Sequence, residues 1–305
     1  MNINLKVLIT IVSCLFLLSC TKGIAGNEPD TDGIFNNAIV TPLLSPNFTS
    51  ALFFNFTQNN SGQPNEGFAI YGNYAFSMYA TGVCNVYDVN GKKFVSSFHL
   101  GSYSSTNHAN VADFGVEFPE GNTDFPAIYI SECTGSIKRC FVESITTNGS
   151  QLIQTITPNS SKLGRGYTDW AVDRENDLLY CLTEVSGIGD TNYNVLVFRL
   201  PQLSEGSDVT LTDADIIDSW AINENGTTQG LYISNGYMYF PMSGGSGLNG
   251  CVLYIMDLMN QSHEVTTINL GANFTNSECE DLYLYNNTLL ISFQGGGVYA
   301  FKNSD

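Results

Sequence analysis

The chain has 305 residues, a formal net charge of −18 and only 11 lysine and arginine residues. Nucleic-acid affinity depends on clustered basic side chains that neutralise phosphates, so this composition excludes nucleic acid as a partner and disfavours an anionic membrane surface. The excess of carboxylates favours cations or neutral sugars as ligands.

The first element is predicted to be an export signal. Lys6 supplies a positive charge, and residues 7–18 are nearly all apolar but too few to span a membrane as a stable helix. The run ends in Leu17-Leu18-Ser19-Cys20, which resembles a lipobox. This motif implies cleavage before Cys20 and acylation of that cysteine. We therefore predict a signal peptide over residues 1–19 and an exported lipoprotein anchored at Cys20 to the cell envelope, at the outer membrane or the cell surface.

A tether is predicted over residues 20–36, which are rich in Gly, Asn and Asp. Such polar segments bury too little apolar surface to fold. The remaining residues, 37–305, have the length of a single closed all-β domain. No later stretch is apolar enough to be a second membrane segment.

Five stretches of this domain repeat one pattern, in which a polar residue leads a short apolar strand. The leading residues are Glu66, Asp113, Asp169, Gln229 and Glu280, separated by steps of 47, 56, 60 and 51 residues. A period near fifty, with several short strands in each unit, is typical of β-propeller blades. Turn signals such as Asn90-Gly91 separate the strands. We predict five blades, near residues 66–100, 113–157, 169–222, 229–270 and 280–302.

The fifth unit lacks an outer strand, and residues 48–57 provide a spare strand before the first unit. If this segment pairs beside residues 298–302, the ring closes and no strand edge is left exposed. The predicted fold is therefore an all-β, five-bladed propeller closed by its N-terminal strand. Residues 34–58 are too few for a sixth blade, and a β-sandwich would not explain the repeat.

A ligand site is predicted at the mouth of the central channel, because the innermost strand of each blade starts there. The second unit adds Asn107-His108-Ala109-Asn110 just before its first strand. The predicted mouth residues are Glu66, Asn107, His108, Asn110, Asp113, Asp169, Gln229 and Glu280. Tyr71, Tyr79 and Tyr167 are placed by the sequence where they could reach this mouth and stack on sugars.

Carboxylates crowded in this way repel one another, by about 3 kcal/mol for two charges ~6 Å apart at an effective dielectric constant of 20. A calcium ion held by Glu66, Asp169 and Glu280 would relieve the repulsion. So would a raised pKa on one acid, which general acid catalysis requires. In a third arrangement each carboxylate simply caps backbone amides of the neighbouring blade. The sequence leaves the three arrangements open.

Six cysteines follow Cys20, and their spacings match no zinc-binding pattern. They are Cys84, Cys133, Cys140, Cys181, Cys251 and Cys279. Cys133 and Cys140 flank a short turn, so we predict a disulfide between them. Cys181 and Cys251 lie inside apolar strands and are predicted to be buried free thiols.

Residues 66–118 resemble a pattern found in bacterial five-bladed propellers, among them helveticin-like and teichoic-acid-related proteins. The motifs that carry this resemblance are Glu66-Gly67-Phe68-Ala69, Tyr87-Asp88, Asn107-His108-Ala109-Asn110 and Asp113-Phe114-Gly115. Gln229-Gly230 matches the Gln-Gly motif at the blade starts of that group, whose function is largely undefined. Glu66-Gly67 is also similar to the start of six-bladed gluconolactonase-like enzymes, where the glutamate binds calcium.

The first functional expectation is an envelope lipoprotein whose propeller binds a glycan or envelope polymer at the acidic mouth, directly or through a cation. One alternative is an enzyme, either a metal-dependent lactonase or a glycoside hydrolase with paired acids. Another is a protein-interaction scaffold with an inert channel. The sequence has neither a nucleophile elbow nor a zinc-protease motif. Propellers host all these functions, so the fold alone does not choose among them.

Overall fold

The structure, a computed structural model, describes residues 41–56, 65–134, 136–189, 191–243, 250–274, 278–295 and 297–304. The predicted signal peptide (1–19), Cys20 and the predicted tether (20–36) lie outside the described residues. Asn37–Asp305 forms one compact unit. In the described ranges no helix combines the length and the apolar character needed to cross a membrane.

The described strands form five sheets, antiparallel except for one parallel pair in blade 2, that are arranged as the blades of a propeller, which confirms the predicted fold. The first strand of the chain is β1 (Phe48–Asn55). Blade 1 contains β2 (Asn65–Tyr71), β3 (Tyr74–Tyr79), β4 (Val83–Asp88) and β5 (Lys93–His99), and blade 2 contains β6 (Ala112–Phe114), β7 (Ile128–Ser131), β8 (Cys140–Thr146) and β9 (Gly149–Asn159). Blade 3 contains β10 (Thr168–Asp173), β11 (Leu178–Glu184) and β12 (Asn192–Arg199); β13 (Asp208–Thr212) and β14 (Ile216–Asn223) follow in the chain.

Blade 4 contains β15 (Thr227–Thr228), β16 (Tyr232–Ser234), β17 (Tyr237–Ser243), β18 (Val252–Asp257) and β19 (Val265–Asn269), and a single helical turn, α1 (Gly271–Phe274), follows it. Blade 5 contains β20 (Cys279–Tyr285), β21 (Thr288–Phe293) and β22 (Gly297–Asn303). The inner strands of blades 1, 3 and 5 are almost wholly buried, whereas outer strands such as β5 alternate between half-buried and exposed residues. This gradient places the core between the blades and around the channel.

The N-terminal strand closes the ring as predicted. β1 pairs antiparallel with β22, with Ala51 opposite Ala300 and Phe48 opposite Asn303. The sheet order of blade 5 is therefore β1-β22-β21-β20. Because β1 covers the outer edge of β22, the two ends of the domain are joined by backbone hydrogen bonds rather than left as open edges.

One strand departs from the predicted blade boundaries. β13 lies within the segment assigned to blade 3, yet it pairs in parallel with β9 and becomes the fifth strand of blade 2. The chain returns through Asp213–Asp215 to β14, the outer strand of blade 3. Blades 2 and 3 are thus joined by a strand exchange as well as by packing.

Glycine follows the leading residue of blades 1 and 4 because the neighbouring backbone is too close for a side chain. A Cβ atom at Gly67 would lie 2.6 Å from the Ala109 carbonyl oxygen, and one at Gly230 would lie 2.8 Å from the Glu280 carbonyl oxygen. These contacts explain the Glu-Gly and Gln-Gly motifs as sites of close approach between blades.

We expect Gly67→Ala to lower the free energy of unfolding by about 1 to 3 kcal/mol, because the added methyl group forces two packed strands apart. Gly149→Ala is the matched control, since a Cβ atom there meets nothing within 4 Å. Urea unfolding of both variants measures the difference. Equal stability of the two variants would contradict the close approach.

Candidate functional site

Three leading residues lie at the same level of their blades. In blades 1, 4 and 5, the inner strand is followed by a hairpin turn. The leading residue of each blade lies five positions before the residue that enters this turn; the leading residues are Glu66, Gln229 and Glu280. The turns are entered at Tyr71, Ser234 and Tyr285. Strand register therefore brings these three polar side chains to one end of the channel.

Glu66 and Glu280 both lie in β-bulges of inner strands. The β2–β3 register shifts at Glu66-Gly67, and the β20–β21 register shifts at Glu280-Asp281. Bulges redirect side chains and are common beside functional sites. Here the two carboxyl groups are hydrogen-bonded to each other. Among the described residues, the Glu280 carboxyl group has Glu66 as its hydrogen-bond partner.

The two glutamates retain a proton at neutral pH because they are buried together. Glu66 is 4% exposed and Glu280 is 2% exposed. Burial, followed by the charge of Glu278, raises the pKa of Glu66 to about 8. Burial, followed by the charge of Glu66, holds the pKa of Glu280 well above its ordinary value. A carboxyl pair that shares a proton can both donate and accept a hydrogen bond.

His108 lies at the rim beside this pair. Its Nε2 atom is 3.4 Å from Glu66 Oε2, and its side chain is 33% exposed. Burial lowers the pKa of His108, and the pKa of Glu66 is raised. At neutral pH the imidazole is therefore neutral and the carboxyl group keeps its proton, so this contact is not an ion pair. The ring of Tyr167 is nearly parallel to that of His108, with centroids 6.4 Å apart.

Glu278 belongs to the same cluster, although the repeat pattern of the sequence did not predict it. Gln229 Nε2 donates hydrogen bonds to Glu278 Oε1 (2.6 Å) and to Ser243 Oγ (2.8 Å), and Ser243 Oγ donates to the same Glu278 oxygen (2.9 Å). Glu278 is not one of the repeated leading residues. The sequence feature that could have indicated it is its position two residues before Glu280. We call the following set the channel mouth: Glu66, His108, Tyr167, Gln229, Glu278 and Glu280.

Asp169 has a different role from these residues. Its Oδ1 accepts from Asn110 Nδ2 (2.9 Å), and its Oδ2 accepts from Thr228 Oγ1 (2.9 Å). It therefore joins blade 3 to blades 2 and 4, with Asn110 as its partner. The calcium set of Glu66, Asp169 and Glu280 stays a prediction.

Two more aspartates join blades inside the channel. Asp281 Oδ2 accepts from the backbone amides of Phe68 (2.9 Å) and Ala112 (3.0 Å), and Asp281 Oδ1 accepts from that of Leu282 (2.8 Å). Asp113 Oδ2 accepts from Val172 N (3.0 Å). The other oxygen of Asp113 has no hydrogen-bond partner among the described residues.

These three aspartates link the inner strands of all five blades, and we call them the channel staples: Asp113, Asp169 and Asp281. Burial raises the pKa of Asp113 and of Asp169 to about 6 and holds that of Asp281 well above its ordinary value. For the aspartates, the arrangement in which carboxylates cap the neighbouring blade is the one that the structure shows. Glu66 and Glu280 do not cap backbone amides of a neighbouring blade in the described structure.

The structure places the remaining predicted mouth residues elsewhere. Asn107 organises its own loop, where Oδ1 accepts from Ala109 N (3.0 Å) and Nδ2 donates to Ser102 O (3.3 Å). Tyr71 lies at the hairpin turn of blade 1, against Phe114. Tyr79 is a core residue with 1% exposure. Of the three tyrosines, only Tyr167 stands beside the mouth.

The predicted disulfide between Cys133 and Cys140 is wrong, since both residues are free buried thiols. Cys133 adopts a left-handed conformation (φ 57°) and is buried, whereas Cys140 packs in the core between blades 2 and 3. The disulfide joins Cys251 to Cys279, so the prediction of a free Cys251 is also wrong. Cys181 is free and buried, as predicted.

A metal site is not apparent in the part of the chain that the structure describes. No group of three or more His, Cys, Asp or Glu side chains there has a geometry that could hold an ion. Calcium at the mouth stays a prediction.

Comparison with known proteins supports the fold and leaves the function open. No protein-family model and no curated protein matches the chain. Among solved structures, 932 chains match, so the architecture is common and does not by itself indicate a function. Glutaminyl cyclase of Myxococcus xanthus is similar, with 12% identity, a TM-score of 0.51 and coverage of 84% of this chain and 97% of that one. A Bacteroides thetaiotaomicron protein of unknown function has 13% identity, a TM-score of 0.45 and coverage of 84% and 76%.

Proposed function

We propose that the channel mouth binds a glycan or a cell-envelope polymer, on a propeller held at the cell envelope by a lipid on Cys20. The observation that carries this proposal is the paired bulges that turn Glu66 and Glu280 toward each other. Unlike the channel staples, these two acids cap no backbone amides of a neighbouring blade in the described structure. Burying carboxyl groups in this way costs stability, and ligand binding is a reason to keep them.

The mouth has the chemistry that recognition of a sugar needs. The proton-sharing pair and the neutral imidazole of His108 offer both donors and acceptors to hydroxyl groups. The aromatic rings of His108 and Tyr167 at the rim offer faces on which the apolar face of a pyranose can stack. The envelope location rests on the lipobox.

Calorimetric titration tests the proposal with three classes of probe: neutral oligosaccharides, amino-sugar oligosaccharides and polyol-phosphate oligomers. We expect one class to bind, and Glu280→Gln to weaken that binding at least tenfold, about 1.4 kcal/mol, without unfolding the protein. The matched control is Glu120→Gln, an exposed acid on the loop between β6 and β7. Absence of binding by every class, or equal binding by both variants, would contradict a glycan site at the mouth.

Catalysis is the second candidate, and the contact between Glu66 and His108 is the observation that favours it. A carboxyl group that keeps its proton near neutral pH beside an imidazole is suited to proton transfer. Lactones and aryl glycosides test the lactonase and glycosidase alternatives. A peptide with N-terminal glutamine belongs in the same panel because the similar Myxococcus xanthus protein is a glutaminyl cyclase. Turnover that Glu66→Gln abolishes would establish an enzyme.

Calcium and an inert channel are the remaining alternatives. Glu66, Glu278 and Glu280 carry the carboxylate oxygens that calcium prefers. Stabilisation by added calcium that EDTA reverses would identify a metal site. A mouth that binds neither ion nor sugar and turns over no substrate would leave the interaction scaffold, with the blade edges as its binding surface.

A further inference from the structure

The disulfide lies directly beneath the two acids of blade 5. Cys279 is the first residue of β20, and Cys251 immediately precedes β18, so the bond joins the inner strand of blade 5 to the third strand of blade 4. Both residues have no exposed surface. The chain neighbours of Cys279 are Glu278 and Glu280, both of which belong to the channel mouth.

Equivalent positions in two other blades carry anchors of a different kind. Asn65 precedes Glu66, and its Nδ2 atom donates to Phe293 O of blade 5 (3.2 Å). Thr228 precedes Gln229, and its Oγ1 donates to Asp169 of blade 3 (2.9 Å). In blades 1, 4 and 5, the residue before the mouth side chain is therefore fixed to the preceding blade. The disulfide is the covalent form of this anchor.

Strand pairing holds the backbone beside Cys279 only in part. The β20–β21 ladder shifts register between Cys279 and Leu282, so Glu280 lies where regular pairing is interrupted. Asp281 in the same bulge is fixed by Ser292 Oγ, which accepts from Asp281 N (3.0 Å). On the N-terminal side of Glu280, the disulfide is the covalent link to blade 4, beside the side-chain hydrogen bonds that Gln229 and Ser243 donate to Glu278.

We propose that the Cys251–Cys279 disulfide is a positioning element of the channel mouth, which makes ligand binding by Glu278 and Glu280 dependent on the redox state of this cysteine pair. The inference rests on the proposed function for its binding consequence, but its geometric consequence is independent of any ligand. A thiol or phosphine reductant supplies two electrons, the S–S bond breaks and two thiols form, which frees the first residue of β20 and lets the bulge relax. The channel staple Asp281 and the β20–β21 pairing keep the blade folded.

The test compares the full chain, oxidised and reduced with a phosphine, and the Cys251→Ser/Cys279→Ser variant. The ring resonance of His108 in an NMR spectrum reports on the mouth without a ligand, and the other two histidines, His99 and His263, are internal controls on outer parts of blades 1 and 4. We expect reduction to shift the His108 resonance, to leave the other two unchanged, and to weaken binding of the oligosaccharide class identified by calorimetry at least tenfold.

Each outcome has a distinct meaning. An unchanged His108 resonance with unchanged affinity after complete reduction would overturn the positioning role. A shifted His108 resonance in a protein that binds no oligosaccharide in either state would support positioning and contradict the proposed ligand. The phosphine added to the Cys251→Ser/Cys279→Ser variant must have no effect. If that variant does not fold, Asn65→Ala removes the equivalent anchor in blade 1 and is expected to shift the same resonance.

Discussion

The free energy of unfolding is expected to fall as the pH rises from about 6 to about 8. Burial raises the pKa of Glu66 from 4.5 to about 8, so between these values the folded chain holds a proton that the unfolded chain has released. The stability gained is complete below the unfolded pKa and is lost as the pH rises through the folded pKa. One proton held over two pH units corresponds to about 3 kcal/mol. Urea unfolding at a series of pH values measures the fall.

Glu66→Gln separates this effect from general charge repulsion, which also grows with pH. The variant is expected to lose the share of the fall between pH 6 and 8 that comes from Glu66, whereas the raised pKa values of Glu280 and Asp281 still contribute to it. It keeps the fall below about pH 6, which comes from the raised pKa values of Asp113 and Asp169. Identical pH profiles for the parent and Glu66→Gln would show that Glu66 holds no extra proton in this range.

Asp281→Ala is expected to be among the most destabilising substitutions in the channel. It removes the acceptor for the buried backbone amides of Phe68, Ala112 and Leu282. Each unpaired amide costs about 1 to 3 kcal/mol, so the total loss is about 3 kcal/mol or more. Since domains are typically stable by about 5 to 15 kcal/mol, a large fraction of the folding free energy disappears. Denaturant unfolding and the yield of soluble protein report the loss.

Asp281→Asn is the matched control for that substitution. Burial holds the pKa of Asp281 well above its ordinary value, so the side-chain amide resembles the protonated acid. Its oxygen can still accept from Phe68 and Ala112, whereas the Leu282 amide loses its acceptor, so the expected loss is about 1 to 3 kcal/mol and smaller than that of the alanine variant. If the alanine variant is as stable as the asparagine variant, Asp281 does not join the blades as described.

The architecture could be predicted because its signals are local and repeated. Apolar strands, hairpin turns and a period near fifty define the blades, and the spare strand 48–57 matches the strand missing from the last unit. β13 could not be predicted in the same way. Its alternating sequence is that of an ordinary strand, and its assignment to blade 2 depends on a parallel pairing with β9, some fifty residues away along the chain.

The candidate site was predictable only where the repeat fixes the register. Glu66, Gln229 and Glu280 lead equivalent strands and lie at one level. Asp113 and Asp169 seemed equivalent in sequence, but a shift of one residue along a strand sends a side chain to another partner. For that reason Asp113 and Asp169 join neighbouring blades instead of lining the channel mouth. The disulfide was missed because pairing depends on the spatial separation of two cysteines, which their distance along the chain does not reveal.

The central claim is that Glu66 and Glu280 form a buried carboxyl pair that keeps a proton for a ligand. Carbon-13 NMR of the glutamate side-chain carboxyl groups counts that proton directly, and the spectra of Glu66→Gln and Glu280→Gln assign the two signals. We predict that the pair titrates with one apparent pKa above about 7. Two signals that are both fully ionised by about pH 5.5 would contradict the claim, because such a pair would be two ordinary carboxylates.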